Sequence, residues 1–167
     1  MKRSLFVLGL LRDTDVEWLA SVATPRRYAA GETLIDQGVN ADSIFIIIEG
    51  LAQVEVSGTT IARVSAGDLV GEISLFDRRP PSATLRAEGA LKALSIDLAT
   101  LDRRLTADAE FASRLYFSLG ALLAQRMRQA IGSDPADDDA LDEPILEQLS
   151  LAGERFAVLT ERALDGQ

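Results

Sequence analysis

The sequence contains neither cysteine nor histidine. Disulfides, thiolate nucleophiles, iron–sulfur clusters and zinc fingers therefore have no ligands here. Ser-His-Asp and Cys-His catalysis are excluded, as is haem held by His or Cys. Lys and Arg are scarce relative to acids, 17 against 26, and the net charge is −9. A nucleic-acid-binding face needs clustered basic residues to displace counterions, so this balance argues against one. It leaves room for a small anion in a local basic pocket. Apolar runs are short, and none approaches the roughly 20 residues of a membrane span. Met1 to Leu11 superficially resembles a signal peptide. Its apolar run meets Arg12-Asp13 without a small-residue cleavage site, so a packed N-terminal element is expected.

What remains is an ordinary globular composition, 47% hydrophobic and 26% charged over 167 residues. That suffices for one domain with a sizeable core and an appendage. Thr14 or Asp13 caps an expected helix that starts near Val16 and is closed by Pro25. Trp18 reads as a core residue of that helix. Thr33–Asp36, Ser43–Ile48, Ala52–Val56 and Thr60–Val64 read as strands, with a tight hairpin at Ser57-Gly58-Thr59-Thr60. Strands at this spacing suggest an antiparallel barrel or roll. In Ser43–Ile48, Phe45 and Ile47 share one face and Ile44, Ile46 and Ile48 the other. Both faces are apolar, so the pattern does not say which points inward. Leu85–Ile96 reads as a further strand, and Asp97 starts a short helix. Glu110–Ile131 reads as a long helix with Phe111, Leu115, Leu119 and Leu122 on one stripe, and Leu123 and Met127 beside it.

An acidic linker, residues 132–143, follows. Its Asp-rich cluster lacks the glycine and terminal glutamate spacing of a calcium loop, so no metal site is assigned. Residues 144–167 then carry Ile145, Leu149, Ala152, Phe156, Leu159 and Ala163 at alternating spacings of four and three. So short a helix needs a surface to pack on: its own domain, a second copy or another protein.

One stretch is not ordinary sheet. Val70 to Thr84 holds a Gly-Glu pair, a short apolar turn and a Pro-Pro-Ser-Ala corner. Gly71 lets backbone approach a ligand closely. The Glu72 carboxylate can accept hydrogen bonds from ligand hydroxyls. Backbone N–H groups near Ser82 and Ala83 can form an anion nest. Together these features suit a sugar phosphate. A plain surface loop with a helical turn after Gly71 satisfies the same spacing.

The residues Gly71-Glu72, Ser74-Leu75, Pro80 and Ser82-Ala83-Thr84 resemble the phosphate-binding cassette of cyclic nucleotide-binding domains, as in the catabolite activator protein family. Ala30–Gly38 and Ile44–Gly50 match further motifs in the right order, and the likeness runs from about Leu5 to Gln129. It implies an α+β fold. The expected core is an antiparallel β-roll, a jelly-roll-like double-stranded β-helix. An N-terminal helix and a long C-terminal helix flank it, with a short extra C-terminal helix beyond. Residues 1–131 would form the binding domain, 132–143 a linker and 144–167 an amphipathic helix. By resemblance, Glu72 takes the ribose hydroxyl, with backbone groups of Gly71 and Ile73 beside it and Ser74 next in the motif. Ser82 and Ala83 hold the cyclic phosphate, and Thr84 and Arg126 approach the base. The family's phosphate-pairing arginine would fall at Pro81, which has neither charge nor N–H. Arg78 and Arg79 are near enough in sequence to substitute.

The resemblance implies a regulatory module that senses cAMP or cGMP as a ligand, with no other cofactor. It implies a homodimer through the long helix and a protein partner through the C-terminal helix, in the cytoplasm. Family transcription factors carry a helix-turn-helix after the long helix; the acidic tail here does not match one, so no DNA binding is expected. A second reading, from Pro81, is a ligand-independent dimerisation and interaction module. Catalysis is the third: Glu72, Asp68 and Asp77 are the acid–base groups on offer. A lone Glu beside a Gly is more often a binding group than a base, so the chain is not expected to be an enzyme.

Overall fold

In the computed structural model, residues 6–131 and 143–165 are described. Helices α1 (Phe6–Leu10) and α2 (Asp13–Val22) precede eight strands. These are β1 (Thr24–Tyr28), β2 (Thr33–Ile35), β3 (Ser43–Glu49), β4 (Leu51–Val56), β5 (Thr59–Ser65), β6 (Leu69–Val70), β7 (Thr84–Ala87) and β8 (Leu91–Asp97). Helix α3 (Ile73–Asp77) interrupts them after β6, and α4 (Leu98–Ala107), α5 (Ala109–Ile131) and α6 (Glu143–Asp165) follow. The strands form two antiparallel four-stranded sheets, ordered β1-β8-β3-β6 and β2-β7-β4-β5. This is the expected α+β architecture, a β-roll flanked by helices.

The two-faced apolar pattern of β3 has a simple cause. Phe45 and Ile47 point between the sheets, against Ile35, Val64, Leu85 and Leu91. Ile44 and Ile46 point the other way, onto Leu101, Phe111, Leu115 and Leu119 of the helical layer. Side chains alternate along a strand, so a strand covered on both sides reads as one continuous apolar run. The β4–β5 connection is the expected two-residue hairpin, with Ser57 and Gly58 both at positive φ.

The structure corrects four local expectations. Leu85–Ile96 is two strands, β7 in one sheet and β8 in the other, separated at residues 88–90. Helix α2 is capped from neither Thr14 nor Asp13; its N-cap is Arg12, whose backbone N–H donates to Asp15 Oδ2 at 2.8 Å. Pro25 lies inside β1 rather than in a helix-ending loop, with Pro25 opposite Leu94. β1 is an edge strand, where a missing N–H costs no ladder bond if it faces outward. Met127, placed beside the core stripe of α5, is 65% exposed.

The helical layer is tied together by charge as well as by packing. Asp15 on α2 is buried and takes a two-pronged contact from Arg114 on α5, Nε at 2.7 Å and Nη2 at 3.0 Å. Trp18 meets Phe111 edge-on at 5.5 Å, and the Arg104 guanidinium lies over both rings. Helix α6 packs on α1 and α2, adding Ala152, Leu159 and Ala163 to the same core. Arg155 fastens it by donating to the carbonyls of Leu8 and Gly9 at 3.1 and 2.9 Å, near the end of α1. The described part of the tail's apolar seam is thus spent on its own domain. Of the acidic linker, residues 132–142 lie outside the described residues, and Glu143 is the first residue of α6.

Candidate functional site

The chain leaves β6 through Gly71, at φ +87°, and turns directly into α3. A Cβ there would sit 3.2 Å from the Ser43 carbonyl oxygen and 3.3 Å from Ile35 Cδ1. Both the left-handed backbone and the tight space call for glycine. Gly71→Ala is expected to lower stability by about 1–3 kcal/mol in denaturant unfolding, from strain at positive φ and crowding. A change below the precision of the measurement would show that this corner has slack.

The turn places Glu72 at the start of α3, where its carbonyl accepts from the Leu75 N–H at 3.1 Å. The residue is 2% exposed. After α3, Arg78 adopts the left-handed conformation (φ 56°) and ends the helix with its N–H on the Ser74 carbonyl. Residues 80–83 then return to β7. This corner is fixed from β2's side: Gly38 N–H donates to the Pro81 carbonyl at 2.9 Å, and Gln37 N–H donates to Thr84 Oγ1 at 3.1 Å.

Between corner, sheets and α5 lies a cavity of about 710 Å³. Gly71, Glu72, Ile73 and Ser74 line one side, and Ser82, Ala83 and Thr84 another. Arg126 enters from α5, one turn after Leu122, which also lines it. Eight of the ten residues expected at a site therefore surround one cavity. Arg78 and Arg79 do not line it. The Arg78 guanidinium donates to Asp102 on α4 at 2.6 Å, and the Arg79 N–H donates to Asp77 Oδ1 at 3.0 Å. The left-handed turn at Arg78 redirects the chain, so nearness in sequence does not become nearness to the cavity.

The structure adds residues that motif reading missed. Ile35, Val54, Val64 and Leu85 supply apolar walls and Gln125 a polar one, while Asp68, read in the sequence only as an acid–base candidate, lines the cavity too. Alternation along β4 and β5 signals the wall positions, but only after the pairing of the two strands is known. Arg126 spans two groups at the cavity edge: its Nη1 donates to Glu72 Oε1, and its Nη2 donates to the Leu69 carbonyl at 2.6 Å. The lining is thus an apolar cup with the carboxylates of Asp68 and Glu72, the guanidinium groups of Arg63 and Arg126, the hydroxyls of Ser74, Ser82 and Thr84, and the backbone of a tight corner. It can hold a flat apolar body and orient polar groups at its edge. A second cavity of about 610 Å³, lined by Arg26, Tyr28, Glu32 and Asp42 among others, includes no expected site residue. Among the described residues, no cluster of acids suited to a metal ion occurs.

The sequence pattern of the cyclic nucleotide-binding domain matches residues 25–108, half of the chain. The chain belongs to this family. It is 29% identical, over 113 residues, to a cAMP-dependent protein kinase regulatory subunit of Mycosarcoma maydis. That match covers 65% of this chain and 20% of the relative. A cyclic nucleotide-binding domain from Methylobacillus flagellatus shares the fold, with a TM-score of 0.68, 23% identity, and coverage of 83% of this chain and 84% of that one. The N-terminal domain of a Streptomyces coelicolor transcriptional regulator aligns with a TM-score of 0.61 and 28% identity, covering 77% and 98%. The chain spans about a fifth of the length of the curated relatives it matches. Among the described residues, no helix is long and apolar enough to cross a membrane.

Proposed function

We propose that this chain binds a cyclic nucleotide, cAMP or cGMP, in the cavity beneath α5 and passes its occupancy to a protein partner. One observation supports this most. The buried Glu72 carboxylate and the Ser82-Ala83 corner border the same cavity, where a ribose hydroxyl and a phosphate would be met together. A volume of about 710 Å³ lies within the usual range of small-ligand sites, about 300–1,000 Å³. The role is binding, with Glu72 as acceptor rather than base, and the place of action is the cytoplasm. The net charge of −9 favours a protein rather than DNA as the receiver of the signal.

Helix α5 is the connecting element. One of its faces lines the cavity through Leu122 and Arg126. Another exposes Phe117, Gly120, Ala124, Met127 and Ile131, at spacings of three and four. Such spacing suits the seam of a two-helix coiled coil, and this is the surface through which we infer a homodimer. Phe117→Glu is expected to give a monomer by analytical ultracentrifugation at concentrations where the parent is a dimer. An unchanged mass would remove this surface from consideration.

Calorimetric titration with cAMP and with cGMP tests the main reading, alongside the thermal midpoint. Binding at 100 times Kd should stabilise the fold by about 2.7 kcal/mol. Absence of both heat and a midpoint shift at millimolar ligand would sink it. Pro81 favours a second reading, in which the fold persists as a ligand-independent dimerisation and interaction module. That reading requires a dimer and no response to either nucleotide.

A further inference from the structure

Resting on the reading above, the ligand's phosphate brings a negative charge into a cavity whose corner has no cation. A charge buried without a partner costs several kcal/mol, so some group must meet it. Pro81 offers none, and Arg78 is held away by Asp102. Two lining residues carry guanidinium groups, Arg63 and Arg126. The Arg63 side chain is 64% exposed and bound to Glu88. The Arg126 side chain is 31% exposed and lies over the cavity, spanning Glu72 and the Leu69 carbonyl.

Those two bonds are unequal. Nη1 meets a carboxylate; Nη2 meets only a neutral backbone oxygen. Exchanging the neutral acceptor for an anionic one adds the attraction of opposite charges, which the bond to a carbonyl lacks. The carboxylate also has spare capacity: Oε1 is taken by Arg126, and a carboxylate accepts about four bonds over its two oxygens. We propose that Arg126 is the phosphate's countercharge in this chain. Its Nη1 stays on Glu72 Oε1, a ribose hydroxyl donates to Glu72 Oε2, and Nη2 leaves the Leu69 carbonyl for a phosphate oxygen beside Ser82 and Ala83. The exchange compensates for Pro81. It also couples ligand to helix, because the bond given up is one that ties α5 to β6.

Titration of cAMP into five proteins tests this: the parent, Arg126→Gln, Arg126→Lys, Pro81→Arg, and Pro81→Arg combined with Arg126→Gln. Arg126→Gln is expected to bind about 30–100 times more weakly, the loss of a charge-assisted pair. Arg126→Lys should fall between it and the parent, since an ammonium cannot fork between carboxylate and phosphate. The combined variant should regain most of the loss, which also shows that its fold is intact. Adenosine, without the phosphate, should lose less than threefold on going from parent to Arg126→Gln. If Arg126→Gln binds cAMP as well as or better than the parent, the arginine only blocks Glu72 and the inference fails while the nucleotide reading stands. If it binds weakly and Pro81→Arg does not restore it, Arg126 acts by holding α5 and the inference likewise fails. Absence of binding by both the parent and Pro81→Arg would remove the nucleotide reading and the inference together.

Discussion

Arg114→Ala should lower stability by about 3–5 kcal/mol, because it leaves a buried carboxylate without its partner. Asp15 is 1% exposed and sits between α2 and α5. It accepts from Arg114 Nε at 2.7 Å and Nη2 at 3.0 Å, and from the Arg12 N–H at 2.8 Å. Burial pushes the Asp15 carboxyl up, but the Arg114 hydrogen bonds, the Arg12 N–H and the positive charges of Arg114 and Arg104 outweigh it and hold the group below its usual 3.8. A folded-state value below the unfolded one stabilises the protein above the unfolded pKa of about 3.9. That contribution is lost as pH falls through the folded value. Parent and Arg114→Ala should therefore differ most at pH 7, and the gap should begin to narrow below about pH 4. Denaturant midpoints at pH 7 and pH 3 check both parts. A gap below about 1 kcal/mol at pH 7, or an equal gap at both, would contradict the account. Removing both partners, as in Asp15→Asn with Arg114→Ala, should cost less than removing the arginine alone.

Pro81→Arg should strengthen cAMP binding by about 10–150-fold, the equivalent of one charge-assisted hydrogen bond of about 1.5–3 kcal/mol. Position 81 borders the cavity next to Ser82 and Ala83. Its backbone is held through its carbonyl, which accepts from the Gly38 N–H. That bond does not depend on proline, so the corner can keep its shape with another residue. The loss of proline's rigidity costs about 0.4–1 kcal/mol of stability, well below the gain in binding. An arginine there would act beside Arg126 and give the cavity a second cation against Glu72 and the phosphate. Calorimetry on the parent and the variant reads the change directly. A gain below about threefold would mean that the phosphate does not lie at this corner.

Local chemistry carried much of the fold into the sequence. The Ser57-Gly58 hairpin, the strands β3 to β5 and the stripe Phe111, Leu115, Leu119 and Leu122 were legible because each depends on neighbours within a few residues. β1 was not legible, because Thr-Pro-Arg-Arg-Tyr has little β-forming character. It is a strand only because β8 offers it an edge. The break between β7 and β8 was hidden for a related reason. Both strands are apolar toward the core, yet they belong to different sheets, and strand pairing is a long-range choice. The destination of α6 was open among three surfaces. Burial of Leu159 and the reach of Arg155 to the end of α1 settled that its own domain takes the described seam.

The candidate site divides along the same line. Glycine at 71, glutamate at 72, proline at 81 and the Ser-Ala-Thr turn are matters of covalent identity, and the chain alone determined them along with the family they point to. Which guanidinium enters the cavity was decided in three dimensions. Arg78, six residues from Glu72, turns out to Asp102, whereas Arg126, 54 residues away, closes on the carboxylate. Sequence distance is a poor guide there because a left-handed residue can reverse the chain within one step, while the pitch of a packed helix carries a remote side chain to the site.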